Sequence, residues 1–316
     1  MAGIAFNAQK PWNDYASYLR KRFGARVQKI SVDAGFTCPN RDGTLSFSGC
    51  VYCNNKTFNP FYCSPNKSIT QQLAEGIAFF GAKYKTQKYL AYFQAYSNTY
   101  NSTEHCMALY EEALSVDGVI GLVIATRPDC VSDELLNEIA HIAQRKYVVI
   151  EYGAESTLNT TLELINRCHT YEQTIDAVIR THRNGIYTGL HLIMGLPGES
   201  IADMLGHAEA VSELPLHTVK LHQLQIIRGT KAEDIYRENP NLFTLFGVDE
   251  YVRLVARFLA RLHPGIMPDR FSGESPRELL LAPDWQGLKN FELLHRIEKY
   301  MNANDLKQAC SFKKKY

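Results

Sequence analysis

The feature that most constrains the fold is a regular alternation of short apolar runs with helical patterns. Several of the runs are almost continuously hydrophobic, which is typical of strands buried on both faces of a parallel sheet. Six such β/α units fit either an open doubly wound sheet or a partial barrel. The predicted strands are Val27–Asp33, Tyr89–Ala95, Val119–Thr126, Tyr147–Gly153, Tyr187–Met194 and Thr218–Ile226.

Helix start signals lie between these strands. Serine precedes three of the helical patterns, and Thr170 with Gln173 has the spacing of a capping box. The part after Gly247 is mostly helical in pattern, with ordered loops at His263–Pro268 and Pro276–Trp285. The predicted helices are Trp12–Phe23, Ile69–Tyr84, Asp133–Gln144, the segment from Thr170 to Asn184, Ile201–Glu213, Asp249–Leu262 and Phe291–Met301.

Three cysteines follow the first predicted strand. Cys38 is separated by eleven residues from the pair Cys50-Val-Tyr-Cys53, and Asn40 to Gly43 supply turn residues for the return of the chain. Sulfur is a soft ligand that suits iron–sulfur clusters. Three thiolates can hold three irons of a four-iron cluster and leave the fourth iron open to a small molecule.

Two other interpretations compete for the cysteines. A structural zinc site needs four ligands, and the nearest further candidates, Cys63 and His105, lack zinc-ligand spacing to the pair. A thioredoxin-like Cys-x-x-Cys motif needs its βαβ context and no third cysteine. No Gly-x-Gly-x-x-Gly follows the first strand, which argues against a dinucleotide-binding Rossmann domain.

Composition excludes several classes of protein. Hydrophobic residues make up 45% and charged residues 21%, as in an ordinary soluble protein, and no run reaches the length of a membrane span. No export signal is visible in the first ten residues, so eight cysteines suggest cytosolic thiols. The net charge is +1. Basic clusters that could contact phosphates or simply face solvent are Arg20, Lys21, Arg22, Arg26 and Lys29, and Lys313 to Lys315.

From Lys29 to about Arg228 the chain resembles the radical S-adenosylmethionine (radical SAM) superfamily. The cysteine run departs from the usual Cys-x3-Cys-x2-Cys, and its longer gap is similar to the branch that contains the catalytic subunit of Elongator. The phrase Asp33-Ala-Gly-Phe-Thr-Cys-Pro-Asn-Arg-Asp-Gly is close to a bacterial group in that branch. The resemblance implies a partial (β/α)6 TIM-like barrel. It predicts a helical lead-in at 1–26, a core at 27–246 and a helical extension at 247–316.

Further motifs resemble the SAM contacts of the superfamily. Glu151-Tyr-Gly-Ala-Glu155 and the following Arg167 are similar to a fourth-strand signature, and His191 to Glu199 is similar to an adenine-binding fifth-strand motif. By resemblance, Glu155 binds the ribose and Arg167 the methionyl carboxylate. The implied metal ligands are Cys38, Cys50 and Cys53, and the implied SAM-binding residues are Tyr52, Gln94, Tyr96, Thr126, Glu155, Arg167, His191 and Met194.

The resemblance implies an enzyme that reductively cleaves SAM at a [4Fe–4S] cluster to a 5′-deoxyadenosyl radical, which abstracts hydrogen from a substrate. Elongator-like relatives act on the C5 side chain of wobble uridine, so tRNA is the expected partner, with flavodoxin or ferredoxin as electron donor and a cytoplasmic location. No acetyltransferase domain is expected. The alternatives are a small-metabolite or protein substrate, or a non-catalytic iron–sulfur or zinc module.

Overall fold

The fold is a curled parallel sheet with helices on its outer face. The computed structural model describes residues 10–54, 57, 59–82, 84 and 87–313. Seven strands pair in the order β1-β2-β3-β4-β5-β6-β8, all parallel, and β7 pairs with β9 in a small antiparallel sheet. The strands are β1 (Arg26–Val32), β2 (Gln87–Phe93), β3 (Val119–Thr126), β4 (Tyr147–Glu155), β5 (Tyr187–Met194), β6 (Thr218–Gln223), β7 (Ile226–Ile227), β8 (Met267–Arg270) and β9 (Leu280–Ala282).

The helices begin where the sequence places hydroxyl side chains. Ser68, Ser132 and Ser200 each accept a hydrogen bond from a backbone N–H three residues on, and the predicted capping box at Thr170 is present. The helices are α1 (Tyr15–Phe23), α2 (Ile69–Gly81), α3 (Thr103–Ser115), α4 (Asp133–Ala143), α5 (Asn159–Leu164), α6 (Tyr171–Arg183), α7 (Ile201–Ser212), α8 (Lys231–Glu238), α9 (Val248–Arg261) and α10 (Asn290–Ala303).

The two edges of the large sheet meet each other. Lys29 lies on the edge strand β1 and Asp269 on the opposite edge strand β8, yet Lys29 Nζ is 2.6 Å from Asp269 Oδ2. Such a contact requires the sheet to curl round on itself. The predicted partial barrel is therefore confirmed, and the open doubly wound alternative is wrong.

The apolar core fills the space between the sheet and its helices. Leu122 and Ile150 from the strands are fully buried against Leu136 of α4 and Val178 of α6. Burying one such side chain contributes about 2 kcal/mol. Because this layer covers the outer face of the sheet, polar strand residues can be directed only to the inside of the barrel and to its mouth.

The part after Gly247 contains two short strands where the sequence predicted loops. The expected loop at His263–Pro268 overlaps β8, which adds a seventh strand to the barrel. Its sequence, Met-Pro-Asp-Arg, has no apolar alternation, because Asp269 points into a charged barrel interior. Within the expected loop at Pro276–Trp285, residues Leu280–Ala282 form β9. Helices α3, α5 and α8 were not predicted.

Two members of the amino-terminal basic cluster have partners within the protein. Arg22 donates to the hydroxyls of Tyr18 and Tyr187, and Lys29 lies inside the barrel. Tyr187 is the first residue of β5, so Arg22 lies at the amino-terminal end of the barrel. The cysteine loop lies at the opposite end. Lys314 and Lys315 of the second cluster lie outside the described residues.

Candidate functional site

A cavity opens at the carboxyl ends of the barrel strands. The loop after β1 brings all three predicted metal ligands to it, and the same cavity is lined by residues from the ends of β2 to β6 and from the segment after β8. Functional groups gather at this end in parallel barrels. The predicted site residues on the cavity wall are Cys38, Cys50, Tyr52, Cys53, Gln94, Tyr96, Thr126, Glu155, Arg167 and His191.

The cysteine loop is folded by its own backbone and by Asn40. Gly49 N–H donates to the Asn40 carbonyl at 2.7 Å, which closes the eleven-residue gap, and Cys53 N–H donates to the Cys50 carbonyl at 3.0 Å. The Asn40 side chain lies 3.4 Å from Cys50 Sγ and also donates to the carbonyl of Asn166 at 2.6 Å. Asn40 therefore joins the loop to the chain that carries Arg167.

Arg167 connects the cysteines to the end of β4. Its guanidinium lies 3.4 Å from Cys50 Sγ, donates to the Gly153 carbonyl at 2.6 Å and pairs with Glu155 at 3.4 Å. Neighbouring Tyr52, Cys50 and Glu155 hold the pKa of Arg167 well above its usual value despite burial. Glu155 has φ +66°, in the left-handed region that side chains rarely adopt, and β4 shifts its register there. Such local strain often occurs at functional sites.

The ends of β2 and β3 supply polar groups to the wall. Gln94 accepts a hydrogen bond from Ser31 Oγ at 3.1 Å, and Thr126 shares one with Thr99 at 2.6 Å. Tyr96 has φ +61°, a second left-handed residue on the wall. These contacts fix the side chains without using all of their hydrogen-bonding capacity.

A buried charge network forms the floor of the cavity. Glu151 of β4 accepts from Lys29 at 3.0 Å, from Lys220 of β6 and from His191 of β5 at 3.0 Å. Burial favours the neutral acid, but Lys220 and Lys29 hold the pKa of Glu151 well below its usual range. Burial, and then the charge of Lys220, lowers the pKa of His191. His191 is thus a neutral ring on the cavity wall, oriented by Glu151.

Met194 does not line the cavity. Its side chain is fully buried in the core, and its carbonyl accepts from Leu224 N–H at 2.8 Å. A side-chain contact between Met194 and a ligand is therefore excluded in this conformation, whereas the preceding residue, Ile193, reaches the cavity. At the following turn Gly195 has φ +97°, which explains the glycine there.

The residues present fit a cluster and a polar ligand. Buried atoms on the wall lack a hydrogen-bond partner: Tyr52 OH, Arg127 Nη1 and Arg167 Nε. Buried polar groups normally have partners, so a ligand is expected here. No three His, Cys, Asp or Glu side chains of the described residues converge on a single metal ion. The zinc interpretation therefore has no ligand set among the described residues. A four-iron cluster binds each cysteine through a different iron, so it does not need the three sulfurs to meet at one ion.

Comparison with known families agrees with this geometry. The sequence model of the Radical SAM superfamily matches residues 37–211, which includes all three cysteines and the ends of β2 to β5. The chain belongs to the radical SAM superfamily. These enzymes use a [4Fe–4S] cluster and SAM. A second model, the Radical_SAM C-terminal domain, matches residues 216–303 of this radical SAM protein.

Similar proteins occur in bacteria and archaea. The chain is 32% identical to YtqA of Bacillus subtilis (strain 168), over 98% of this chain and 95% of that protein. It is 33% identical to YhcC of Escherichia coli (strain K12), over 96% of each. It is 24% identical to the tRNA uridine(34) acetyltransferase of Methanocaldococcus infernus, over 60% of this chain and 35% of that protein.

Solved structures confirm the fold. Archaeal Methanocaldococcus infernus Elp3, with an N-terminal deletion, superposes with a TM-score of 0.67 at 19% identity, over 89% of this chain and 64% of that chain. Methylornithine synthase superposes with a TM-score of 0.50 at 12% identity, over 92% of this chain and 86% of that chain. The chain thus has the Elp3-like radical SAM fold, as the cysteine spacing predicted.

Several residues of the wall had no role in the sequence prediction. Tyr92, Glu151 and Arg270 all line the cavity. Glu151 falls within the quoted fourth-strand motif, and its place in the middle of an otherwise apolar strand was the available signal. Arg270 follows a segment predicted as a loop, so nothing in the sequence indicated its position.

Among the helices of the described residues, none is both long enough and apolar enough to cross a membrane.

Proposed function

We propose that this protein is a radical SAM enzyme that modifies the C5 side chain of the wobble uridine of tRNA. The observation that carries the substrate class is the similarity, over 60% of this chain, to a tRNA uridine(34) acetyltransferase. The Elp3-like fold and the Elongator-like gap between Cys38 and Cys50 support it. The similarity covers 35% of that relative, so acetyl transfer is not part of the proposal.

In this proposal Cys38, Cys50 and Cys53 hold the cluster. When bound, the cluster and SAM supply a 5′-deoxyadenosyl radical that abstracts hydrogen from the substrate. Arg167 and Asn40 direct polar hydrogens at Cys50 Sγ, both at 3.4 Å. Hydrogen bonds to the sulfurs are one means by which a protein tunes such a cluster.

The SAM site lies beside the cysteine loop. Arg167 binds the methionyl carboxylate, for which the planar guanidinium is suited, and its unpartnered buried Nε is accounted for by such a ligand. Glu155 binds the ribose hydroxyls. The remaining predicted contacts, from Tyr52, Gln94, Tyr96, Thr126 and His191, line the same wall.

The substrate enters through the open mouth above the floor formed by Glu151. The wall on that side is built from the end of β6 and residues 270–275, which fall within the match to the Radical_SAM C-terminal domain. The exposed basic residues around Arg22 lie at the other end of the barrel, away from this mouth. Further elements of the proposal are an electron donor such as flavodoxin or ferredoxin and a cytoplasmic location.

The test is a profile of tRNA nucleosides in a strain that lacks the gene. The proposal predicts an altered wobble-uridine nucleoside, which returns on complementation with the wild-type chain and not with Cys50→Ala. The matched control is Cys310→Ala, because Cys310 is an exposed thiol near the end of the described chain. Unchanged wobble uridines in the deletion strain refute the tRNA substrate.

A further inference from the structure

Arg270 lines the cavity without a carboxylate partner. Its Nε donates to the Ser272 carbonyl at 2.6 Å, and it forms no ion pair with any carboxylate among the described residues. Both carboxylates on the wall are occupied, Glu151 by two lysines and Glu155 by Arg167. Of the other basic side chains of the wall, Arg127, Arg167 and Lys220 pair with carboxylates, and Arg41 donates to the Cys53 carbonyl within the cysteine loop.

A small polar niche is kept open beside Arg270 by Gly273. A Cβ on Gly273 would lie 3.2 Å from Nδ1 of His222, 3.5 Å from Oε1 of Gln225 and 3.9 Å from Nη2 of Arg270. Gln223 fixes the position of Gly273, since its side chain accepts from Gly273 N–H at 3.0 Å and donates to the Gly273 carbonyl at 3.1 Å. Three polar side chains therefore surround a space that the Cβ of any other residue at position 273 would fill.

His222 is the second donor at this niche. No described residue forms a hydrogen bond with its ring, which lines the cavity. Burial, and then the positive charges of Arg270 and Lys220, hold the pKa of His222 well below its usual range. The ring is therefore neutral and carries one N–H, which is available to an acceptor oxygen.

We propose that Arg270 and His222 form a substrate subsite for an oxyanion, a carboxylate or a phosphate group. A guanidinium binds two oxygens of such a group at once, and a half-buried cation without a carboxylate partner carries a desolvation cost that an anion offsets. The four charges on the floor, from Lys29, Lys220, Glu151 and Asp269, balance each other, so the positive charge of Arg270 is uncompensated. The proposal depends on the radical SAM function in one way, because it assumes that the substrate of the enzyme binds in this cavity. It does not require RNA.

The experiment measures anion binding directly. Protein with 15N-labelled histidine is reconstituted anaerobically with its cluster and saturated with SAM without reductant, and the ring signals are followed by NMR at about pH 8, where histidine is neutral. The His222 signal is assigned by its loss in His222→Gln. Sodium acetate and inorganic phosphate are titrated separately against sodium chloride at matched ionic strength. The stronger of the two binders identifies the chemistry of the anion.

The proposal predicts a saturable shift of the His222 signal. In Arg270→Gln the affinity for the anion falls by about tenfold or more, as expected for loss of a charge-assisted contact. The matched control is Arg253→Gln, an exposed arginine on α9, which binds as wild type. The proposal is overturned if neither anion gives a saturable shift in the SAM-saturated protein, or if Arg270→Gln binds as well as wild type.

The result is independent of the proposed tRNA substrate. Anion binding at His222 together with an unchanged tRNA profile keeps the subsite and assigns it to another anionic substrate. Absence of anion binding together with an altered tRNA profile keeps the tRNA function and removes the subsite.

Discussion

Replacing Glu151 by Gln should destabilise the protein strongly. Glu151 is 1% exposed, and its carboxylate contacts the ammonium groups of Lys29 and Lys220. Gln has nearly the same shape but no charge. The substitution leaves two buried lysines to share Asp269, which lies 2.6 Å from Lys29 and 3.4 Å from Lys220.

The expected loss is about 3–5 kcal/mol, the range for removal of one partner from a buried ion pair. Folded domains are stable by only about 5–15 kcal/mol, so the loss is a large share of the total. With a urea m value of about 3 kcal/mol per molar, the unfolding midpoint falls by more than about 1 M. Anaerobic urea titration followed by the fluorescence of buried Trp12 measures it.

The pH dependence tests the cause of the loss. Despite burial, Lys220 and Lys29 hold the pKa of Glu151 well below its usual range. In the unfolded chain a glutamate takes up its proton near about pH 4.3, so the stability that the Glu151 charge contributes is present above that pH and is lost as the pH falls toward the folded-state pKa. We therefore expect the deficit of the variant to shrink as the pH falls below about 4.

The control is Asp133→Asn, which removes a partner of Arg180 at the surface. The Asp133 side chain is 75% exposed, and such pairs contribute less than about 1 kcal/mol. A loss in Glu151→Gln no larger than that in Asp133→Asn refutes the reasoning. A deficit that is the same at neutral pH and at acid pH also refutes it.

Three further predictions concern the site and the barrel. Arg167→Gln should weaken SAM binding by about tenfold or more, measured by calorimetry without reductant, while thermal unfolding shows that the fold is kept. Gly153→Ala should also weaken SAM binding, because its Cβ would meet the ends of the Glu155 and Arg167 side chains, so unchanged affinity contradicts the assigned site. Burial lowers the pKa of His217 to about 3, so stability is lost as the pH falls from about 6.5 toward 3, and about 2 kcal/mol of that loss has occurred by pH 5. If the free energy of unfolding of His217→Gln, measured by urea titration, falls with pH as steeply as that of wild type, the assignment is refuted.

The sequence predicted the barrel well because its strands are apolar and its helices are capped. A buried parallel strand such as β3 is a hydrophobic run in the sequence, and Ser132 is an N-cap residue at the start of the next helix. β8 was missed because its burial is ionic, with Asp269 directed at Lys29. A hydrophobicity pattern has no signal for a strand that is held by a charge pair across the barrel.

The candidate site was predicted where a short motif carries the chemistry. The cysteine loop and Arg167 lie within recognisable phrases, and the structure brings them to one wall. His222 and Arg270 come from β6 and β8, which are separated by 43 residues of chain between Gln223 and Met267. Their proximity depends on the register of two strands, and a single sequence does not specify that register.

The central claim is that the three cysteines hold a cluster that cleaves SAM for a reaction on tRNA. Its most direct test is the anaerobic release of 5′-deoxyadenosine by the reconstituted protein, with and without bulk tRNA, alongside the iron content. The account predicts about four irons per chain, 5′-deoxyadenosine release that tRNA stimulates, and loss of both signals in Cys50→Ala. Iron-free protein, or a reconstituted protein that releases no 5′-deoxyadenosine with or without tRNA, contradicts the account.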